Sequence, residues 1–217
     1  MTAMRSAFDE EISAICALSW GTMTEEDSIS VAWAYYFFSI QFRENLQIAR
    51  ELYPDDEKLQ HLEREECDTD NLSPWPGVAG VGEKLNHDEF MRRVLTLSPQ
   101  SDRAVQRYRE AGNAYLAAVR ATPPATRAMS IASYEDGGLE RVFRAMLTSP
   151  DSSNPLLAGF RHFLSEHIRF DSDPSEGHGA LARHLRPDDR ILPLWSGFKH
   201  LLLACAPALA QKTLAAA

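Results

Sequence analysis

No stretch of the 217-residue sequence is apolar for long enough to cross a bilayer. The most apolar run, 191–209, is broken by Pro193, Lys199, His200 and Pro207. There is no Lys/Arg-rich run, and 22 basic residues face 31 acidic ones for a formal net charge of −9. A nucleic-acid backbone is therefore not an expected partner. Cysteine is scarce: Cys16, Cys67 and Cys205 are odd in number and far apart, which excludes a disulfide framework and favours a reducing compartment. The opening MTAMRSAFDEEISA is acidic within ten residues and lacks the apolar core of a secretion signal, so a soluble, cytoplasmic protein is expected. Period-two alternation, internal repeats and low-complexity linkers are also missing. That removes sheet and solenoid folds from consideration.

What is present is helical periodicity from end to end. Thr24 followed by Glu25, Glu26 and Asp27 marks a helix start, because acidic groups in a first turn interact well with the helix dipole. That helix continues to Leu52 without Gly or Pro. A second is expected from Asp56 to Asp70, then a loop over SPWPGVAGVGE, which carries two Pro and three Gly. Asn86 with Glu89 three residues on resembles a capping box opening a helix to Leu97. Further helices are expected over 100–122, over 125–147 with a kink at Gly137-Gly138, and from Asn154-Pro155 to Phe170. Two more segments finish the chain. The expectation is one all-α domain over 1–217, a bundle of about seven to nine helices.

Polar groups fall where core side chains belong. In the helix after Pro155, His167 lies seven residues after Phe160 and Asp171 seven after Leu164, continuing the buried stripe. Glu66 lies seven after Leu59 and four after Leu62. Glu135 lies three after Ala132, four before Leu139 and seven before Val142; His87 lies three before Phe90 and four before Met91. A single such residue is most simply a satisfied core histidine or a Glu paired with an arginine, and Arg127, Arg141 and Arg144 are the nearby candidates for Glu135. Four helices doing so together point instead to a shared partner. An unpaired buried carboxylate costs several kcal/mol.

The segment HIRFDSDPSEGHG adds His178, set between two glycines, to His167 and Asp171. Carboxylates with imidazoles suit ferrous iron, manganese or zinc, and no Cys joins them, which weakens a structural zinc site. Inward-facing Glu and His on different helices are how bundles build dinuclear sites. The ferritin-type Glu-x-x-His spacing is absent, since no Glu in the chain has a His three residues later.

The order Glu66, His87, Glu135, then His167-x-x-x-Asp171 and His178 resembles the heme-oxygenase-like diiron oxidases, helical proteins sharing the fold of heme oxygenase and thiaminase II. RHFLSEHIRFDSDPSEGHGAL looks like that family's final His-x-x-x-Asp-x-x-His motif, and SYEDGGLERVF like its middle Glu motif. The likeness covers roughly 59–185. Two departures stand out: Asp171 and His178 are seven apart instead of three, so the helix must be interrupted between them, and the loop between Glu66 and His87 is long. Glu176 is an alternative to His178, and Asp173 a supplement to Asp171.

The resemblance implies a heme-oxygenase-like bundle that binds two ferrous ions per chain, with manganese as the alternative. The ligands would be Glu66, His87, Glu135, His167, Asp171 and His178. It implies dioxygen activation and oxidation of a small amino acid, amine or fatty acid in bacterial secondary metabolism. It also allows a homodimer. A substrate pocket is expected beside the metals, walled by some of Trp33, Tyr35, Tyr36, Phe37 and Phe38, with Arg43, Arg92 or Arg93 as carboxylate clamps and the Trp75 loop as a lid. Two rival readings keep the helices and drop the metal. One is a thiaminase-II-like hydrolase with a Cys nucleophile near a Glu, for which Cys67 directly follows Glu66, while Cys205 lies among apolar residues near a Pro and reads as structural. The other is a helical interaction protein without catalysis.

Overall fold

The computed structural model describes residues 6–67, 74–171 and 178–210; the side chains of Cys67, Phe170 and Asp171 lie outside that description. Among the described residues there are nine α-helices of eight residues or more, one single-turn helix and no β-strand. They are α1 (Ala7–Cys16), α2 (Glu25–Leu52), α3 (Glu57–Cys67), α4 (His87–Thr96), α5 (Asp102–Arg120), α6 (Pro124–Ser133), α7 (Leu139–Met146), α8 (Pro155–Asp171), the short α9 (His178–Ala182) and α10 (Leu192–Cys205). The expected all-α bundle is what the chain forms. No described helix is long and apolar enough to cross a membrane.

The helix starts follow from local chemistry. Thr24 and Asp27 cap each other: Asp27 N donates to Thr24 Oγ1 at 3.2 Å and Thr24 N donates to Asp27 Oδ2 at 3.0 Å. Asn86 Oδ1 accepts from Glu89 N at 2.9 Å to open α4. At α8, Asn154 Oδ1 accepts from Leu156 N at 3.0 Å, with Pro155 in the first turn where its missing N–H costs nothing.

The 28-residue α2 is the axis of the bundle. It packs on α3, α4, α5, α6, α8 and α10, and its buried residues point in every direction around it. One continuous cluster of buried apolar side chains runs from Ile12 to Leu209. Within it α2 also carries two fully buried amides. Tyr115 Oη donates to Gln41, Gln41 Nε2 donates to Tyr134 Oη at 2.7 Å, and Asn45 Nδ2 donates to Ser130 Oγ at 3.0 Å. Arg127 Nε donates to Asn45 Oδ1 at 2.7 Å, and its Nη2 reaches Glu44 at 3.1 Å. Burial pushes the Tyr134 hydroxyl up to about 12 and Tyr115 well above its usual range, so both stay protonated donors. These bonds pin α2 to α5, α6 and the turn that follows α6.

The kink expected at Gly137-Gly138 is a wide, π-like turn, Tyr134–Gly138, which joins α6 to α7 and leaves helical φ/ψ at Asp136 and Gly137. Gly137 has φ +87°, which favours glycine, and a Cβ on Gly138 would lie 2.0 Å from the Ser133 carbonyl oxygen and 3.0 Å from the Trp195 ring. Gly138→Ala is therefore expected to lower stability by about 2 kcal/mol or more in urea unfolding. Gly80→Ala, with its nearest neighbour 3.8 Å away, is expected to change it by less than about 0.5 kcal/mol.

Candidate metal centre

Five side chains meet in the middle of the bundle. Glu66 comes from the last turn of α3, His87 from the first residue of α4, Glu135 from the π turn, His167 from α8 and His178 from the first residue of α9. All five are buried, Glu66 at 4 % exposed and Glu135 at 6 %. Glu66 is the hub. Its Oε2 lies 2.7 Å from His87 Nδ1 and its Oε1 2.8 Å from His178 Nδ1. His87 Nδ1 is 3.1 Å from His167 Nε2, and His178 Nδ1 is 3.3 Å from Glu135 Oε2.

The cluster thus divides into two triads that share Glu66. Glu66, His87 and His167 form one, and Glu66, Glu135 and His178 the other; in each, three donor atoms lie within 4.8 Å of one another. An ion held at about 2.0–2.2 Å from each ligand brings neighbouring donors about 3 Å apart, which is the spacing here. The donor set has no thiolate and mixes carboxylate with imidazole, as suits iron, manganese or zinc.

Hydrogen-bond bookkeeping points the same way. His87 Nε2 is buried without a partner, and Glu66 Oε1 makes no directional hydrogen bond despite the nearby imidazole. Buried orphan atoms call for an explanation, and a cation supplies one for the carboxylate. No lysine or arginine neutralises Glu66, whose partners among the described residues are the two histidines. The arginines near Glu135 in sequence are engaged elsewhere: Arg127 with Glu44 and Asn45, Arg141 with Asp9 and Ser13, Arg144 with Glu140.

His167 shows how the site is oriented. Its Nδ1 lies 2.8 Å from the Phe163 carbonyl oxygen, which can only accept, so the ring carries its proton there. Nε2 then presents a lone pair to the cluster. The ring lies against Phe163, centroids 4.0 Å apart, and against Phe143 at 5.8 Å. Desolvation, with His87 adding to it, pushes its pKa down to about 3, so the imidazole is neutral at pH 7. Burial pushes the Glu66 carboxyl up, but the facing imidazoles outweigh it and hold the group well below the usual range.

Glycine makes the second triad possible. A Cβ on Gly179 would meet the Glu135 carbonyl oxygen at 2.9 Å and Asp136 Cα at 3.2 Å. Its absence lets α9 lie against the π turn. The interruption expected between Asp171 and His178 falls on residues 172–177, outside the described residues. The side chain of Asp171 lies outside the described residues, as do Asp173 and Glu176.

The expected pocket residues divide between two places. Tyr35 lines a small cavity over the cluster together with Ser39, Phe42 and Leu139; its volume is about 10 Å³. Trp33, Tyr36 and Phe37 line a separate, larger cavity. Phe38 packs on Phe198, centroids 4.3 Å apart. Arg43 is held by Asp88 at 2.8 Å and Arg93 by Glu83 and Glu89, so neither is free to clamp a substrate at the cluster. Arg92 pairs with Glu89 at the rim of the larger cavity. Trp75 stacks on His162 of α8 at 4.6 Å.

Of the cysteines offered by the hydrolase reading, burial pushes the Cys205 thiol up to about 11, which makes it a poor nucleophile; Cys67 has its side chain outside the described residues. Ser39, Phe42 and the Gln41–Asn45 pair went unnoticed as site-forming residues. The two amides lie four apart inside an otherwise apolar helix, a signal as good as those that marked Glu66 and Glu135. Comparison with family models, with curated proteins and with solved structures gave no match.

The low pKa of His167 has a consequence for the metal-free protein. The native ring is neutral down to about pH 3, whereas the unfolded one titrates near its ordinary value of about 6.5. Between those values the unfolded state binds more protons, so stability falls as pH drops below about 6.5. The loss at pH 5 is expected to be about 2 kcal/mol relative to pH 7. His167→Gln, which cannot titrate, should show a shallower fall between pH 7 and pH 5 in thermal unfolding; equal slopes would contradict a neutral buried ring.

Proposed function

We propose that the chain is a nonheme diiron oxidase of the heme-oxygenase-like kind, which uses dioxygen to oxidise a small organic substrate. The observation that carries this reading is the pair of donor triads sharing the two oxygens of Glu66. In it Glu66 would be a ligand common to both ferrous ions, with His87 and His167 holding one and Glu135 and His178 the other. Asp171 is the sixth ligand by resemblance alone. Two bound ferrous ions supply the electrons and open coordination positions that dioxygen activation requires.

The chain's own groups set the conditions for that chemistry. The Phe163 carbonyl holds the His167 proton on Nδ1 and so keeps Nε2 a donor. Phe163 and Phe143 exclude water from the His167 side. Glu66 and Glu135 bring negative charge to the site, which bound ferrous ions would offset. Tyr35 and Ser39 of α2 line the small cavity over the cluster. That cavity has room for about one water molecule at most. A larger substrate reaches the cluster only when the wall of Tyr35, Phe42 and Leu139 gives way.

The test is anaerobic loading with ferrous iron followed by elemental analysis. The expected result is about two irons per chain, as for a dinuclear bundle site, with an optical band that appears on oxygen exposure. Glu66→Ala should lose both irons, because both triads use it. His167→Ala and His178→Ala should each retain about one, the other triad being left whole. Circular dichroism checks that each variant folds. No iron in the wild type, or full loading of Glu66→Ala, overturns the reading. Tight zinc binding with no oxygen-dependent band overturns the oxidase and leaves only a metal site.

A further inference from the structure

The larger cavity lies away from the Glu/His cluster, against the other side of α2. Tyr35, Ser39 and Phe42 face the cluster, whereas Trp33, Tyr36, Phe37 and Ile40 face this cavity. At 100° per residue the two stripes are about 140° apart around the helix. The cavity has a volume of about 780 Å³ and opens between α2, α4 and α5. That is within the range of sites for small organic ligands, roughly 300–1,000 Å³.

Its lining divides by chemistry. The wall is aromatic and aliphatic, with Trp33, Tyr36 and Phe37 from α2 and Leu116 from α5. The polar lining includes Arg92, Arg109 and Arg120, and no acidic side chain lines the cavity. No carboxylate lines the opening itself, but two of these three charges are offset by acids just outside the lining. Arg92 and Arg120 are held by Glu89 and Glu44. Arg109 has no ion pair or hydrogen bond among the described residues, so its guanidinium is available at the opening.

We infer that this cavity is a second binding site, for an organic carboxylate with an apolar body. The alkyl or aryl portion lies on Trp33, Tyr36, Phe37 and Leu116, and the carboxylate meets Arg109 at the opening. A guanidinium binds a carboxylate through two parallel N–H groups, which gives the preference for that head group over a neutral or cationic one. The inference does not depend on any metal at the Glu/His cluster.

The test uses a matched series of decanoate, 1-decanol and decyltrimethylammonium, below their micelle concentrations, with isothermal titration calorimetry as the readout. Decanoate is expected to bind saturably at about one per chain, at least about tenfold more tightly than the alcohol, with no binding of the cation. Arg109 is exposed, so Arg109→Ala should fold normally while weakening decanoate about tenfold and leaving 1-decanol unchanged. Asn113→Trp, at another exposed lining position, should block both by filling the cavity. Glu66→Ala should bind decanoate as the wild type does, which separates this site from the metal reading. Equal affinity for acid and alcohol, no effect of Arg109→Ala, or no binding at millimolar decanoate overturns the inference. So does a dimer, seen by sedimentation, that Arg109→Glu dissociates and decanoate does not disturb, because the cavity would then be closed by a second copy.

Discussion

The arrangement turns on one buried carboxylate. Glu66 is held among imidazoles, 2.7 Å from one and 2.8 Å from another, with no lysine or arginine as a partner among the described residues. An ionised carboxylate in that position costs several kcal/mol unless positive charge is supplied. In the metal-free chain the facing imidazoles hold the Glu66 carboxyl well below its usual range. Cations at the same place would supply that positive charge directly. The surrounding fold serves to bring two more donors to each side of that group. Those four donors come from four separate segments and Glu66 from a fifth, so no local piece of the chain contains the site.

Holding Glu135 is the harder part. A regular helix from α6 into α7 would carry its side chain on with the stripe, and the chain instead inserts a π turn whose two glycines no other residue replaces without strain or clash. The turn is fixed from both sides. Tyr134, its first residue, accepts from Gln41 at the centre of α2, and α9 presses on its outer side where Gly179 has no Cβ. Burying Gln41, Asn45 and Arg127 contributes little net stability in itself, because each exchanges water for protein partners. What the network supplies is register, since leaving any one of those groups unmatched costs more than the bond it makes.

Much of this was legible in the sequence because helices obey a fixed period. Once Leu59 and Leu62, or Phe160 and Leu164, define an inward stripe, Glu66 and His167 are required to point the same way. The Thr24 and Asn86 starts, the Asn154-Pro155 start and the Gly-Gly break are equally local and were readable for that reason. Period alone does not tell which inward stripes meet. Tyr35 and Tyr36 are neighbours in sequence, yet one faces the cluster and the other a different cavity, because that depends on where α3, α5 and α8 sit around α2. The arginines were misleading for the same reason: Arg43 and Arg93 look available until the acids of α4 and its preceding loop are placed beside them. His178 was set by the glycines around it, but only the packing of α9 on the π turn brings its Nδ1 to Glu135.

The position of α2 also bears on how the two cavities relate. The helix is wedged on one side by the Glu/His cluster and its aromatic neighbours. On the other the Phe37 ring lies so close to Gly112 of α5 that a Cβ there would fall 2.2 Å from it. With contacts of this kind on both sides the α2 backbone has little room to shift, so an opening over the cluster is a movement of side chains such as Tyr35 and Phe42. Coupling between sites needs an element with two discrete states that both ligands bias. Side-chain movement on one side of α2 is not such an element, so occupancy of the arginine-rimmed cavity and occupancy of the Glu/His cluster read as independent equilibria on opposite sides of one helix.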